Sequence, residues 1–102
     1  MELRQLAIFA AAAEERSLSA AARRLYLSHS TVSRAMSELE RELGVRLLER
    51  DTHTMKLTAA GERLYAEATE ILARIDGLAE RIKGTECRSP SQGNAVSLTK
   101  RP

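Results

Sequence analysis

Apolar residues recur along the start of this chain at helical spacing. Leu3, Leu6, Phe9, Ala10 and Ala13 fall on one stripe, which predicts an amphipathic helix over Glu2–Glu15. Arg16 breaks the stripe, and Ser17 or Ser19 can cap a second helix running to about Leu25. Ala21, Ala22 and Leu25 form its inward face, whereas Arg23 and Arg24 point away. Tyr26, Leu27 and Ser28 make a tight corner, with Leu27 expected as a buried plug and Ser28 as the next N-cap. A third helix then runs to about Leu43. Val32, Met36, Leu39 and Leu43 repeat at four, three and four residues and are expected to face the core, and Gly44 supplies the stop.

The period changes after Gly44. Val45–Arg50 and Met55–Thr58 are short and β-tolerant, and they flank the polar tip Asp51-Thr52-His53-Thr54, which predicts a small hairpin. Thr58 caps a fourth helix reaching about Ile82. Its seam, Leu64, Ala68, Ile71, Ile75, Leu78 and Ile82, alternates spacings of four and three, the heptad pattern of a helix that pairs with another. From Gly84 the periodicity ends, and a stretch rich in Ser, Gly, Pro and Thr reads as a disordered tail. The fold class expected is therefore mainly α: a winged helix-turn-helix of three helices and a short β-hairpin, followed by a long dimerisation helix. Residues 1–58 form the helical domain with the helix-turn-helix at about 18–37, residues 59–83 the linker helix, and residues 84–102 the tail.

Composition narrows the function classes. Phe9, Tyr26 and Tyr65 are the only aromatic residues, so the core must be aliphatic and alanine-rich, which suits packed helices. The single cysteine, Cys87, excludes an internal disulfide and favours a reducing compartment, the cytoplasm. No apolar run approaches the ~20 residues needed to span a bilayer, and MELRQLAIF carries charge where a signal peptide carries its apolar core, so no membrane partner is expected. His29 and His53 lack cysteine partners at zinc-site spacing, so no metal is expected. There is no paired-carboxylate pocket, no Cys/His nucleophile pattern and no Gly-rich phosphate loop, so neither a catalytic residue nor a cofactor is expected, and the chain is not read as an enzyme.

Charge matters here by distribution rather than total. The net charge is only +2, but no acidic residue lies between Glu15 and Glu38. Inside that window the third helix sets His29, Ser30, Ser33, Arg34 and Ser37 opposite its apolar face. Hydroxyls and a guanidinium group on an uncovered helix face are suited to reading base edges in a DNA major groove. Arg34 can hold either a guanine edge or a phosphate, while Ser30 and Thr31 are better placed for phosphate or water-mediated contacts. One or two of Arg16, Arg23 and Arg24 are expected to reach phosphate, without a choice among them. On the wing, Arg50 is the better candidate, with His53 at the tip.

Read together, these residues resemble the N-terminal DNA-binding domain of LysR-type transcriptional regulators. The resemblance runs through MELRQL, Phe9, Ala21-Ala22, Leu25, Ser28, Val32-Ser33-Arg34, Leu39-Glu40 and Glu42-Leu43-Gly44-Val45. It continues through Leu47-Leu48-Glu49-Arg50 and Leu57-Thr58-Ala59-Ala60-Gly61, covering about residues 1–83 in order. It implies a recognition helix starting near Ser28, a wing at the flanking minor groove, and a linker helix that pairs two subunits. The implied contacts to double-stranded DNA are Ser28, His29, Ser30, Thr31, Ser33, Arg34, Ser37, Arg50 and His53. Two departures stand out. His29-Ser30 replaces the family's common Gln-Pro, which leaves the preferred operator open. The wing tip carries Asp51 where family wings are usually arginine-rich, which weakens minor-groove attraction.

The expected function is sequence-specific regulation of transcription by a dimer paired through Leu64, Ala68, Ile71, Ile75, Leu78 and Ile82. The family's larger effector-binding domain has no counterpart in these residues. The alternatives are a truncated interaction module that pairs with full-length LysR-type relatives, or a gene remnant without a role.

Overall fold

The computed structural model describes residues 1–50 and 54–88. Among these it holds α1 (Leu3–Glu15), α2 (Leu18–Leu25), α3 (His29–Leu43), β1 (Leu48–Arg50), β2 (Met55–Leu57) and α4 (Ala59–Arg88). The chain divides into two units, one running from Met1 to Leu72 and the other beginning at Ala73.

In the first unit α1 is the central element. Leu6, Ile8, Phe9, Ala10, Ala11 and Ala12 are all buried, more than the single stripe expected. Small alanine side chains let α2 and α3 approach that surface closely, so α1 is covered on several sides. Leu3, the first residue of the helix, departs from the expected stripe and is 51% exposed.

Each helix stops where local chemistry requires it. Ser17 Oγ accepts the Ala20 N–H at 3.0 Å and starts α2. At its end Tyr26 enters the left-handed region, and the Leu27 N–H reaches back to the Ala22 carbonyl at 2.8 Å. Leu27 is half-buried against the core rather than a sealed plug. Ser28 Oγ accepts the Thr31 N–H at 3.1 Å and starts α3. Val32, Ala35, Met36 and Leu39 are its buried face. Leu43, expected in the core, is 38% exposed, since Gly44 ends the helix immediately after it at φ 73° and turns the chain away.

The wing is a two-stranded antiparallel hairpin with Leu48 opposite Leu57, Glu49 opposite Lys56 and Arg50 opposite Met55. Its root is held from α3: Glu40 Oε2 accepts the N–H groups of Leu47 (2.7 Å) and Leu48 (3.1 Å). The expected strands shorten to three residues each, and the tip residues Asp51, Thr52 and His53 lie outside the described residues.

Thr58 joins the wing to α4. Its hydroxyl donates to the Arg46 carbonyl at 2.6 Å and accepts the Gly61 N–H at 3.0 Å. Helix α4 extends past the expected end near Ile82, and past Gly84, to Arg88. Gly84 costs a helix interior about 1 kcal/mol relative to Ala but does not forbid it. Thr85 Oγ1 bonds back to the Arg81 carbonyl at 3.0 Å within the helical register. The tail expected from 84 therefore does not begin there, and residues 89–102 lie outside the described residues.

Candidate nucleic-acid interface

Helix α3 presents two opposed faces. Val32 and Leu39 have no exposure, and Met36 and Ala35 are buried beside them. On the far side Ser30, Arg34, Ser37 and Arg41 are exposed at spacings of four, three and four, so they form one stripe. That stripe is about 16 Å long at 1.5 Å per residue. All four side chains are exposed, Arg34 beside the start of α1, and a major groove admits a helix of this kind.

The expected contacts separate into groups. His29, Ser30, Arg34 and Ser37 are exposed as anticipated. Ser33 and Thr31 are half-buried and flank the stripe rather than lie on it. Ser28 is occupied: its Oγ caps α3 and lies 2.8 Å from Thr31 Oγ1 and 3.2 Å from Ser30 Oγ. This hydroxyl cluster fixes the start of the helix, so Ser28 positions its neighbours while its cap bond holds. Arg50 is exposed at the end of β1, and His53 lies outside the described residues. Arg41 was not anticipated. The signal was in the sequence, since Arg41 continues the 30–34–37 spacing, but it lies beyond Glu38, outside the acid-free window.

Among the arginines around α2, the structure distinguishes what the sequence left open. Arg24 Nη1 is held by Glu14 (2.8 Å) and Glu15 (3.2 Å). Those carboxylates raise the Arg24 guanidinium above its ordinary value and tie it to α1. Arg23 is exposed, and Arg16 lines a cleft between the start of α2, the start of α3 and the wing. Among the described residues no group of His, Cys, Asp or Glu could hold a metal ion.

The same layout of helices and wing defines a known family. Residues 3–62 match the family of bacterial regulatory helix-turn-helix proteins, lysR family. The chain belongs to the LysR family. Among its LysR relatives, the HTH-type transcriptional regulator BudR of Raoultella terrigena is 45% identical over 84 residues, covering 82% of this chain and 29% of that protein. TcbR of Pseudomonas sp. (strain P51) is 41% identical over 99 residues, covering 97% of this chain and 32% of that one. The chain thus spans about a third of the length of these curated relatives. The crystal structure of the BenM_DBD/catB site 1 DNA complex superposes with a TM-score of 0.82 at 36% identity, covering 90% of this chain and all of that one. The CbnR_DBD–DNA complex gives 0.77 at 41% identity, covering 83% and 98%. The LysR-family resemblance read from Val32-Ser33-Arg34 and the Leu57–Gly61 run is thereby borne out, as is the winged helix-turn-helix followed by a long helix.

The linker seam is divided in this LysR-family chain. Ala68 is fully buried, and Leu64 is half-buried against the chain's own core, so these two positions of the seam are already covered in the single chain. The heptad spacing could not reveal this, because a domain face and a partner helix both call for the same apolar residues. Ile71 (42%), Ile75 (41%), Leu78 (50%) and Ile82 (60%) remain exposed.

Proposed function

We propose that this chain is a sequence-specific, double-stranded DNA-binding transcriptional regulator that works as a dimer. The observation that carries the reading is the stripe of Ser30, Arg34, Ser37 and Arg41, exposed along the side of α3 opposite its buried face. In this reading α3 enters the major groove, Arg34 meets a base edge or phosphate, and His29, Ser30, Thr31, Ser33 and Ser37 fill polar contacts around it. Arg50 approaches the backbone and minor groove from the wing, while His53, also expected as a contact, lies outside the described residues. Structures of the BenM and CbnR domains similar to this one are DNA complexes, which supports the partner. Chromosomal DNA in a bacterium lies in the cytoplasm, and no helix among the described residues is long and apolar enough to cross a membrane.

Pairing through α4 is supported by Ile71, Ile75, Leu78 and Ile82, a run of large aliphatic side chains at heptad spacing that water covers in the single chain. Beside Ile71, Leu43 and Val45 border an apolar groove of about 400 Å³ floored by Leu6 and Leu47. A second copy of α4 is the occupant that matches both features. The same seam favours one further reading, in which α4 pairs instead with a full-length LysR-type relative.

The test is operator binding by the Arg34→Ala variant. Affinity for a selected duplex should fall about tenfold or more while the helical circular-dichroism signal is unchanged, the scale of one lost base contact. Unchanged affinity would remove α3 from the groove. Co-purification of the chain with a full-length relative, in place of a DNA-binding homodimer, would select the second reading.

A further inference from the structure

Three helix ends in this chain use the left-handed region: Arg16 after α1 (φ 56°), Tyr26 after α2 (φ 59°) and Gly44 after α3 (φ 73°). Only Gly44 adopts it without a steric cost. Arg16 is neither short enough to bond its own backbone there nor paired with any carboxylate among the described residues. A strained conformation that persists at such a position points to use of its side chain.

The surroundings say what use. Arg16 lines a cleft of about 280 Å³ with Ser17 and Ser19 from the start of α2, His29 from the start of α3, and Arg50 and Thr54 from the wing. Four separate stretches converge on it, bringing two guanidinium groups, an imidazole and three hydroxyls. Among the described residues no acidic side chain lines it. Guanidinium forks and hydroxyls are matched to a phosphate group, and a nucleic-acid backbone supplies phosphates along the rim of the groove that α3 would occupy.

We propose that this cleft receives a backbone phosphate of duplex DNA, and that Arg16 is its principal ligand. The inference rests on the DNA-binding reading above and deepens it. It selects Arg16 from the three arginines around α2, Arg24 being committed to Glu14 and Glu15. Phosphate contacts carry no sequence information, so Arg16 contributes to affinity for every duplex alike, unlike a base-edge contact from the α3 stripe.

The test compares wild type, Arg16→Gly and Arg16→Lys in the full chain, on a labelled random-sequence duplex titrated across salt concentration. Arg16→Gly removes the charge and relieves the backbone. It should melt a few degrees higher than wild type, since the left-handed strain is gone. It should also bind duplex on the order of fivefold to tenfold more weakly near 0.1 M salt, with a salt slope shallower by about one ion. Arg16→Lys, which keeps both charge and strain, should retain the wild-type slope. Stability and binding moving in opposite directions is a result that a purely structural role for Arg16 does not produce. An Arg16→Gly variant with the wild-type slope overturns the inference while leaving DNA binding intact. A wild-type chain that binds no duplex overturns the DNA-binding reading itself. Inorganic phosphate is the remaining arm. Stabilisation of wild type but not Arg16→Gly by millimolar phosphate, with an unaltered duplex slope, would assign the cleft to a free anion and overturn its assignment to DNA.

Discussion

Tyr65 on α4 donates its hydroxyl hydrogen to Glu14 Oε2 on α1 across 2.8 Å, linking positions 51 residues apart in the chain. Arg24 of α2 holds the other oxygen of the same carboxylate at 2.8 Å. One side chain thus ties together three helices at the root of α4. The Tyr65 hydroxyl first, and then Arg24, hold the Glu14 carboxyl below its ordinary value of 4.5, against the opposing effect of partial burial. Tyr65 is raised above 10.0, chiefly by the same hydrogen bond.

These shifts set a pH window for stability. A lowered carboxylate contributes fully above its unfolded value and loses that contribution as pH falls through the folded one. A raised phenol contributes fully below its unfolded value and loses it as pH rises through the folded one. The melting temperature should therefore be flat between about pH 5 and 9.5 as far as this pair is concerned, falling on both flanks. Tyr65→Phe should lower the plateau by about 0.5 kcal/mol, the low end for a solvent-screened hydrogen bond, and flatten the alkaline flank. Melting curves across pH check this, and an alkaline flank identical to wild type would remove the bond from the account.

Gly61 in the first turn of α4 lies against the wing root. A Cβ there would stand 2.2 Å from the Leu47 carbonyl oxygen, which accepts the Thr58 N–H at 3.0 Å while Glu40 holds the N–H of the same residue. Gly61→Ala gains helix propensity but must push α4 off this contact. The expected net loss is about 3 kcal/mol, the upper range for overpacking, read by urea denaturation. A neutral or stabilised variant would mean that α4 and the Leu47 backbone are not packed this closely.

Arg41 extends the exposed stripe of α3 toward the helix C-terminus. If it meets phosphate rather than a base, Arg41→Ala should weaken selected and random duplexes by the same factor, about fivefold to tenfold near 0.1 M salt. Arg34→Ala should instead narrow the gap between them. Parallel titrations of both variants on both duplexes measure the difference.

Leu78 and Ile82 are half or more exposed on α4. Leu78→Glu should leave the fold of a single chain intact, because that side chain is half exposed and lies outside the buried core. In the proposed dimer it should shift the equilibrium toward monomer by tenfold or more in sedimentation equilibrium, since a charge replaces a seam residue. A dimer indifferent to this change would place the pairing surface elsewhere.

The sequence alone determined the local structure of this chain. Ser17, Ser28 and Thr58 each cap the helix they precede, Gly44 ends α3, and the spacing of Val32, Met36 and Leu39 sets which face of α3 is buried. These are interactions within a few residues, so propensity and period suffice to read them. Tertiary structure decided what those periods cannot carry. It buried Ala68 in its own domain while leaving Ile71 and Ile75 exposed, though all belong to one heptad pattern. It occupied Arg24 with Glu14 and Glu15 and gathered Arg16, His29 and Arg50 around one cleft from distant parts of the chain. An apolar spacing records only that a face must be covered, and a charge only that it must be solvated or paired. Which group does the covering or pairing depends on distances that exist only once α1, α2, α3 and the wing have packed.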